Sequence, residues 1–147
     1  MWLKCLIVFH VLGACVWVGG HLVLALSVLP KALKEKNADT VHVFETHYER
    51  IGIPALVIQV ITGLLIAANY VPVTEWFLFS DSMHIHVGIK LILLLITFML
   101  AIHARLFIIP KLSAETLPSL AMHIIAITIV AVVMLFAGLN FRLGIIS

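Results

Sequence analysis

The sequence predicts an all-α integral membrane protein: a four-helix bundle formed by a single domain over residues 1–147. Three observations lead there. The chain is 63% hydrophobic and only 11% charged, whereas a soluble domain is about half apolar and about a quarter charged. A soluble chain of this size could form one core, but could not hide this much apolar surface from water. The charged residues also fall into a few short stretches, leaving four apolar segments of the roughly 20 residues that a spanning helix needs.

The spans read as residues 5–29, 51–73, 85–109 and 116–141. The first, second and fourth contain no Asp, Glu, Lys or Arg; the third carries Lys90 and Arg105. The uncharged stretch over 5–30 is longer than the roughly 7–15 residues of a signal-peptide core, so it reads as a membrane anchor. Cys5 and Cys15 lie ten residues apart in that segment, too far along a helix to form a disulfide, and read as small packing residues.

The first connection, residues 31–50, is the charged part of the chain. From about Asp39 it has helix-forming character, with a cap at Asn37 or Asp39. It predicts an amphipathic cytoplasmic extension leading into the second span, bent by Pro54 just inside the membrane. The second connection, 72–83, carries Glu75, Asp81 and Trp76 in an interfacial composition; the third, 111–118, is short. Connections one and three share a side and carry Lys31, Lys34, Lys36, Arg50 and Lys111, while the other side has Lys4 and Arg142. The positive-inside rule then places both termini outside. A net charge of +2 without a basic stripe excludes nucleic acid as a partner; the surrounding partner is the lipid bilayer, and a homo-oligomer is compatible with the sequence.

Eight histidines in so apolar a chain need a reason. His10 and His21 lie on one face of the first helix, about 16 Å apart. His86 and Lys90 are an i, i+4 pair on the third, with His103 further along and His123 near the start of the fourth. Antiparallel helices sort these groups into two layers: His10, His86 and Lys90, with His84 at the mouth, and His21, His103 and His123, with His47 at the rim. Each layer draws histidines from different helices, as a bis-histidine b-type haem requires. Cofactor-binding candidates are therefore His10, His21, His86, Lys90, His103 and His123, and metal ligands His10, His86, His103 and His123, for one or two haems.

Simpler roles exist for each residue. A lone interior histidine can bond a carbonyl and hold helices together, and Lys90 can snorkel to the interface or pair with a haem propionate. His42, His47 and His84 read as surface or interfacial residues. Gly13, Gly19, Gly20 and Gly63 allow close backbone approach, and Gln59 faces the membrane interior.

These residues carry a likeness. The stretch 3–29 with His10 and Trp17-Val18-Gly19-Gly20, the run Tyr48-Glu49-Arg50-Ile51-Gly52-Ile53-Pro54 leading to Thr62-Gly63, and His86-x-x-x-Lys90 with His103 resemble CopD-like (copper resistance protein D) membrane proteins. More distantly they resemble HemJ-type protoporphyrinogen oxidases. The first resemblance implies copper uptake or tolerance alongside a periplasmic partner. The second implies a b-haem oxidoreductase in which His10 and Lys90 match functional positions. Gly19-Gly20-His21 departs from the HemJ pattern. The leading expectation is a b-type haem protein of the bacterial cytoplasmic (inner) membrane, transferring electrons or oxidising a small reductant of the quinol or porphyrinogen class. Its redox partner would be a quinone, a quinol or a respiratory component. Copper transport, with copper as the bound metal, and a cofactor-free respiratory subunit are the alternatives.

Overall fold

The computed structural model describes residues 1–143, with side chains through Asn140. Arg142, used above in weighing the charge of the two sides, lies outside the described side chains. Four helical rods are long and apolar enough to cross a bilayer: Trp2–Glu35, Asp39–Tyr70, Ser82–Lys111 and Leu117–Asn140. The chain is a multi-pass helical membrane protein. In lipid every backbone polar group must be satisfied within the chain, which continuous helices achieve.

The first rod comprises α1 (Trp2–Val23), a π-helical turn (Leu24–Val28) and α2 (Leu29–Glu35). It runs further than the sequence suggests, so the charged connection shrinks to a tight turn. Lys36 closes α2 in the left-handed region at φ 51, and the Asn37 N–H returns to the Ala32 carbonyl at 3.0 Å. This backbone pattern commonly places glycine at the left-handed position. The Asn37 side chain then accepts from the Asp39 N–H at 3.0 Å, and α3 runs unbroken from Asp39 to Tyr70 through Pro54. The amphipathic extension is thus the first part of α3, with Val41 fully buried among exposed polar neighbours.

α4 (Ser82–His103) continues through a second π-helical turn (Ala104–Ile108) and a short 3-10 turn (Ile109–Lys111), and α5 spans Leu117–Leu143. Asp81 caps α4, accepting from the N–H groups of Met83 at 2.8 Å and His84 at 3.0 Å. Thr62, Thr97 and Thr128 each turn their hydroxyl back to the carbonyl four residues earlier, at 2.6, 2.9 and 2.7 Å. All three are buried between helices, where a hydroxyl would otherwise lack a partner.

α1 packs along α3 and against α5, and α5 packs against α4; α3 and α4, though consecutive, share no extended contact. The α1–α3 seam is the tightest. A Cβ at Gly13 would stand 2.8 Å from the Ala55 carbonyl oxygen and 2.9 Å from Gln59 Cβ. The Tyr48 ring lies over Gly20 and Gly52, and its hydroxyl donates to the Val16 carbonyl at 3.1 Å. The densest core lies at the charged end, where Leu24, Leu29, Ala32, Val41, Ala104 and Leu120 belong to one buried cluster.

Two predictions arise here. Gly13→Ala is expected to destabilise the detergent-solubilised protein by about 1–3 kcal/mol through overpacking. Gly19→Ala, where nothing lies within 4 Å, is expected to be neutral or slightly stabilising; thermal unfolding of the two variants checks the contrast. Hydrogen bonds from the His84 backbone N–H and then its side chain hold the Asp81 carboxyl below the usual carboxylate range. A depressed carboxyl stabilises above its unfolded pKa, about 3.9, and that support disappears as pH falls through the folded value. Hydrogen exchange at the Met83 and His84 amides should therefore accelerate on acidification, and should be fast and pH-flat in Asp81→Ala after correction for intrinsic exchange.

Candidate functional site: a cavity between the four helices

Because α3 and α4 stand apart, the bundle encloses a cavity of about 480 Å³ at the end away from the dense core. All four spanning helices line it. Its wall is mainly apolar, with His10 from α1, Gln59 from α3, and His86 and Lys90 from α4. A largely apolar cavity of this volume with a few convergent polar groups is the usual form of a small-molecule site.

Both cavity histidines have their orientation and tautomer set by backbone. His10 Nδ1 donates to the Gln59 carbonyl at 2.8 Å, and His86 Nδ1 donates to the Ser82 carbonyl at 2.6 Å. A carbonyl can only accept, so each Nδ1 carries a proton, and in a neutral imidazole the lone pair then lies on Nε2. The His10 ring is seated against Gly63, where a Cβ would stand 2.9 Å from its Cε1. Helix crowding, rather than a flexible rotamer, therefore decides where that imidazole sits.

Lys90 reaches across to α5, its Nζ near the position a Cβ would take on Gly138, 3.3 Å away. It makes no ion pair among the described residues. Gln59 contributes a further feature: its side-chain oxygen is buried and has no hydrogen-bond partner among the described residues. Met83, Met134 and Cys15 also line the cavity, which sequence spacing did not bring together.

The first expected layer, His10, His86 and Lys90, is thus assembled around one cavity. His84 is held beside it by loop carboxylates, with Nε2 3.2 Å from Glu75 and Nδ1 2.8 Å from Asp81. This fastens the α3–α4 connection to α4.

Of the second expected layer, His103 and His123 are brought together, while His21 turns elsewhere. His123 Nδ1 donates to the Ser119 carbonyl at 2.9 Å, leaving Nε2 to accept from His103 Nδ1, also at 2.9 Å. The rings lie within 6° of parallel with centroids 5.0 Å apart. His21 is buried, donates Nδ1 to the Trp17 carbonyl at 2.9 Å and packs on the Trp17 and Tyr48 rings. His47 bonds the Val43 carbonyl at 2.8 Å on the exposed surface. Among the described residues no group of three or more His, Cys, Asp or Glu side chains is placed to hold a metal ion.

Sequence reasoning did not find the Glu49–Arg105 ion pair, which joins α3 to the turn after α4. It gave Tyr48 no structural role. Opposite charges on two different helices at the same end of the bundle were the available signal.

The fold and site define a four-helix membrane protein with an internal, histidine-bearing cavity. No protein-family model, curated protein or solved structure matches the chain.

The site yields one structural prediction. Gly63→Val is expected to displace the His10 ring, costing about 1–3 kcal/mol in thermal unfolding and moving the His10 imidazole nitrogen resonances. His47→Ala should leave those resonances unchanged.

Proposed function

We propose that this protein binds a b-type haem in the cavity and serves membrane electron transfer or oxidation of a small reductant. The observation that carries the reading is the pair His10 and His86, on two helices and lining one cavity, each with Nδ1 bound to a backbone carbonyl. Metal-ligating histidines characteristically donate their other ring nitrogen in this way, which fixes the ring and raises its basicity.

The rest of the donor set supports the same reading. A macrocycle brings a flat apolar body for the wall and acidic propionates for Lys90, and Gly63 and Gly138 leave room beside the two functional side chains. When bound, haem would supply one-electron chemistry, with its potential tuned by ligand identity, burial and nearby charge. The protein's part is to present imidazole nitrogen, place a cation and exclude water. The same reading places the charged connections on the cytoplasmic side of a bacterial inner membrane, with a quinone, a quinol or a respiratory component as redox partner.

Copper is the second reading, because Met83, Met134 and Cys15 line the cavity with the histidines. Thioether and thiolate sulfur suit Cu(I).

An optical spectrum of the purified protein, oxidised and then dithionite-reduced, with metal analysis of the same sample, separates these readings. Haem gives a Soret band, a sharp reduced α-band and near-stoichiometric iron. A colourless protein from haem-replete cells would overturn the haem reading, and bound copper would promote the second. His10→Ala is expected to lose most of the haem. Lys90→Ala should retain haem at a shifted potential; unchanged potential would mean that the ammonium does not act on the cofactor.

A further inference from the structure

Away from the cavity, two side chains able to ligate meet between α4 and α5. His103 Nδ1 stands 2.9 Å from His123 Nε2. The ring planes agree within 6° while the centroids are 5.0 Å apart, so the imidazoles meet edge to edge, nitrogen facing nitrogen. His123 is fixed from behind by its Nδ1 bond to the Ser119 carbonyl at 2.9 Å. Chain neighbours of the pair, Ala104, Ala121 and Ile124, belong to the dense core. Packing therefore holds the backbones that carry the two rings, while the His103 side chain is exposed.

This pair differs from histidines that only brace a helix. A bracing histidine bonds a carbonyl, as His21 and His47 do; here two ring nitrogens, each able to carry a lone pair, are turned to one point. His123 also has the outer-shell bond typical of a metal-ligating histidine, one nitrogen donating to a carbonyl and the other left for the ion. Neither ring forms an ion pair among the described residues.

The spacing is close to what ligation needs. A zinc-like ion lies about 2.0–2.1 Å from an imidazole nitrogen, and tetrahedral angles then put two such nitrogens about 3.3 Å apart. The observed 2.9 Å falls short by about 0.4 Å. Swinging and tilting the exposed His103 ring makes up the difference, because its neighbour Phe107, with ring centroids 5.3 Å apart, is itself 63% exposed.

We propose that His103 and His123 form a two-imidazole site for a divalent transition-metal ion, which clamps α4 to α5 at the charged end of the bundle. Imidazole suits zinc, copper, iron and nickel, and water completes the coordination. Bonds from the ion to His103 Nδ1 and His123 Nε2 replace the N–H···N hydrogen bond. The proton leaving His103 Nδ1 is taken up at Nε2 of the same ring, so both imidazoles are neutral and no electron moves. Among the described residues α5 is the one spanning helix with which α4 has extended contact, and α4 carries His86 and Lys90. The clamp therefore steadies the helix that brings those two side chains to the cavity, whatever the cavity holds.

The test uses the full chain, free of any histidine tag, in lipid nanodiscs, with Zn²⁺ alone as the probe. The unfolding temperature should rise with Zn²⁺ in the saturable way of a ligand bound to the folded state. Losing an outer-shell partner commonly costs about 10–100-fold in metal affinity, so His103→Ala and His123→Ala should each weaken it by at least about tenfold. His103→Gln and His123→Gln serve where an alanine variant fails to fold, since an amide keeps a hydrogen bond but ligates zinc poorly. His47→Ala should leave the affinity unchanged. No saturable shift in the unaltered chain would overturn the assignment, as would a shift that survives substitution of both histidines. A shift lost in His86→Ala instead would move the ion to the cavity and overturn it equally.

Imidazole ¹⁵N resonances name the ligating atoms, and those of His103 Nδ1 and His123 Nε2 should both move to metal-bound values. Ligation by one ring alone would overturn the two-imidazole site. Amide exchange along α4 should slow once Zn²⁺ is bound; binding with unchanged exchange there would overturn the clamp. A colourless protein that still takes the ion through His103 and His123 would sink the haem reading and leave this one intact. A haem-loaded protein indifferent to Zn²⁺ would do the reverse.

Discussion

The close seam between α1 and α3 governs the rest of the molecule. Hydrocarbon lipid provides no hydrophobic drive for helices to associate, so contact has to come from fitted surfaces and hydrogen bonds. Gly13 against Ala55, and Tyr48 over Gly20 and Gly52, supply the fit. Tyr48 to the Val16 carbonyl and His10 to the Gln59 carbonyl supply bonds between the helices. The His10 bond serves two ends at once. It joins the helices, and it commits the imidazole to one tautomer facing the cavity. The proposed ligand side chain is thereby also part of the packing.

The other helices meet less closely, and that asymmetry leaves room for a site. The dense core is gathered at the charged end, where α2, α3, the turn after α4 and the start of α5 converge. At the opposite end α4 stands off from α3, and the vacated volume becomes the cavity. A bundle equally well packed at both ends would have no place for a ligand. Dense packing and the cavity are thus allotted to different ends of the same helices.

Much of this was legible in the sequence. Four apolar segments separated by charge gave the four spans, because lipid penalises charge strongly enough to mark the boundaries. Equal depth on antiparallel helices brought His10, His86 and Lys90 to one site. Depth alone does not specify rotation about a helix axis, and the second layer shows the difference: His103 and His123 bond to each other, whereas His21 turns to Trp17 and Tyr48. Nor did composition show that α2 would carry the first rod as far as Glu35, since a charged stretch reads equally as loop or as exposed helix. Met83 and Met134 are isolated in sequence and share a wall only after folding. The gap between α3 and α4 was also invisible, because nothing in either segment says which neighbour it will lack.

The length of the first rod has a mechanical consequence. At about 1.5 Å per residue, its 34 residues reach roughly 50 Å, against a hydrocarbon layer of about 30 Å. The surplus turns carry Lys31 and Lys34, which are costly to draw into oil and well suited to lipid phosphates. At the phosphate layer they would resist being drawn inward and so oppose sinking of the bundle. His10 and Lys90, on helices of the same bundle, would share that level. The depth of the proposed site would then be set by residues far from the cavity.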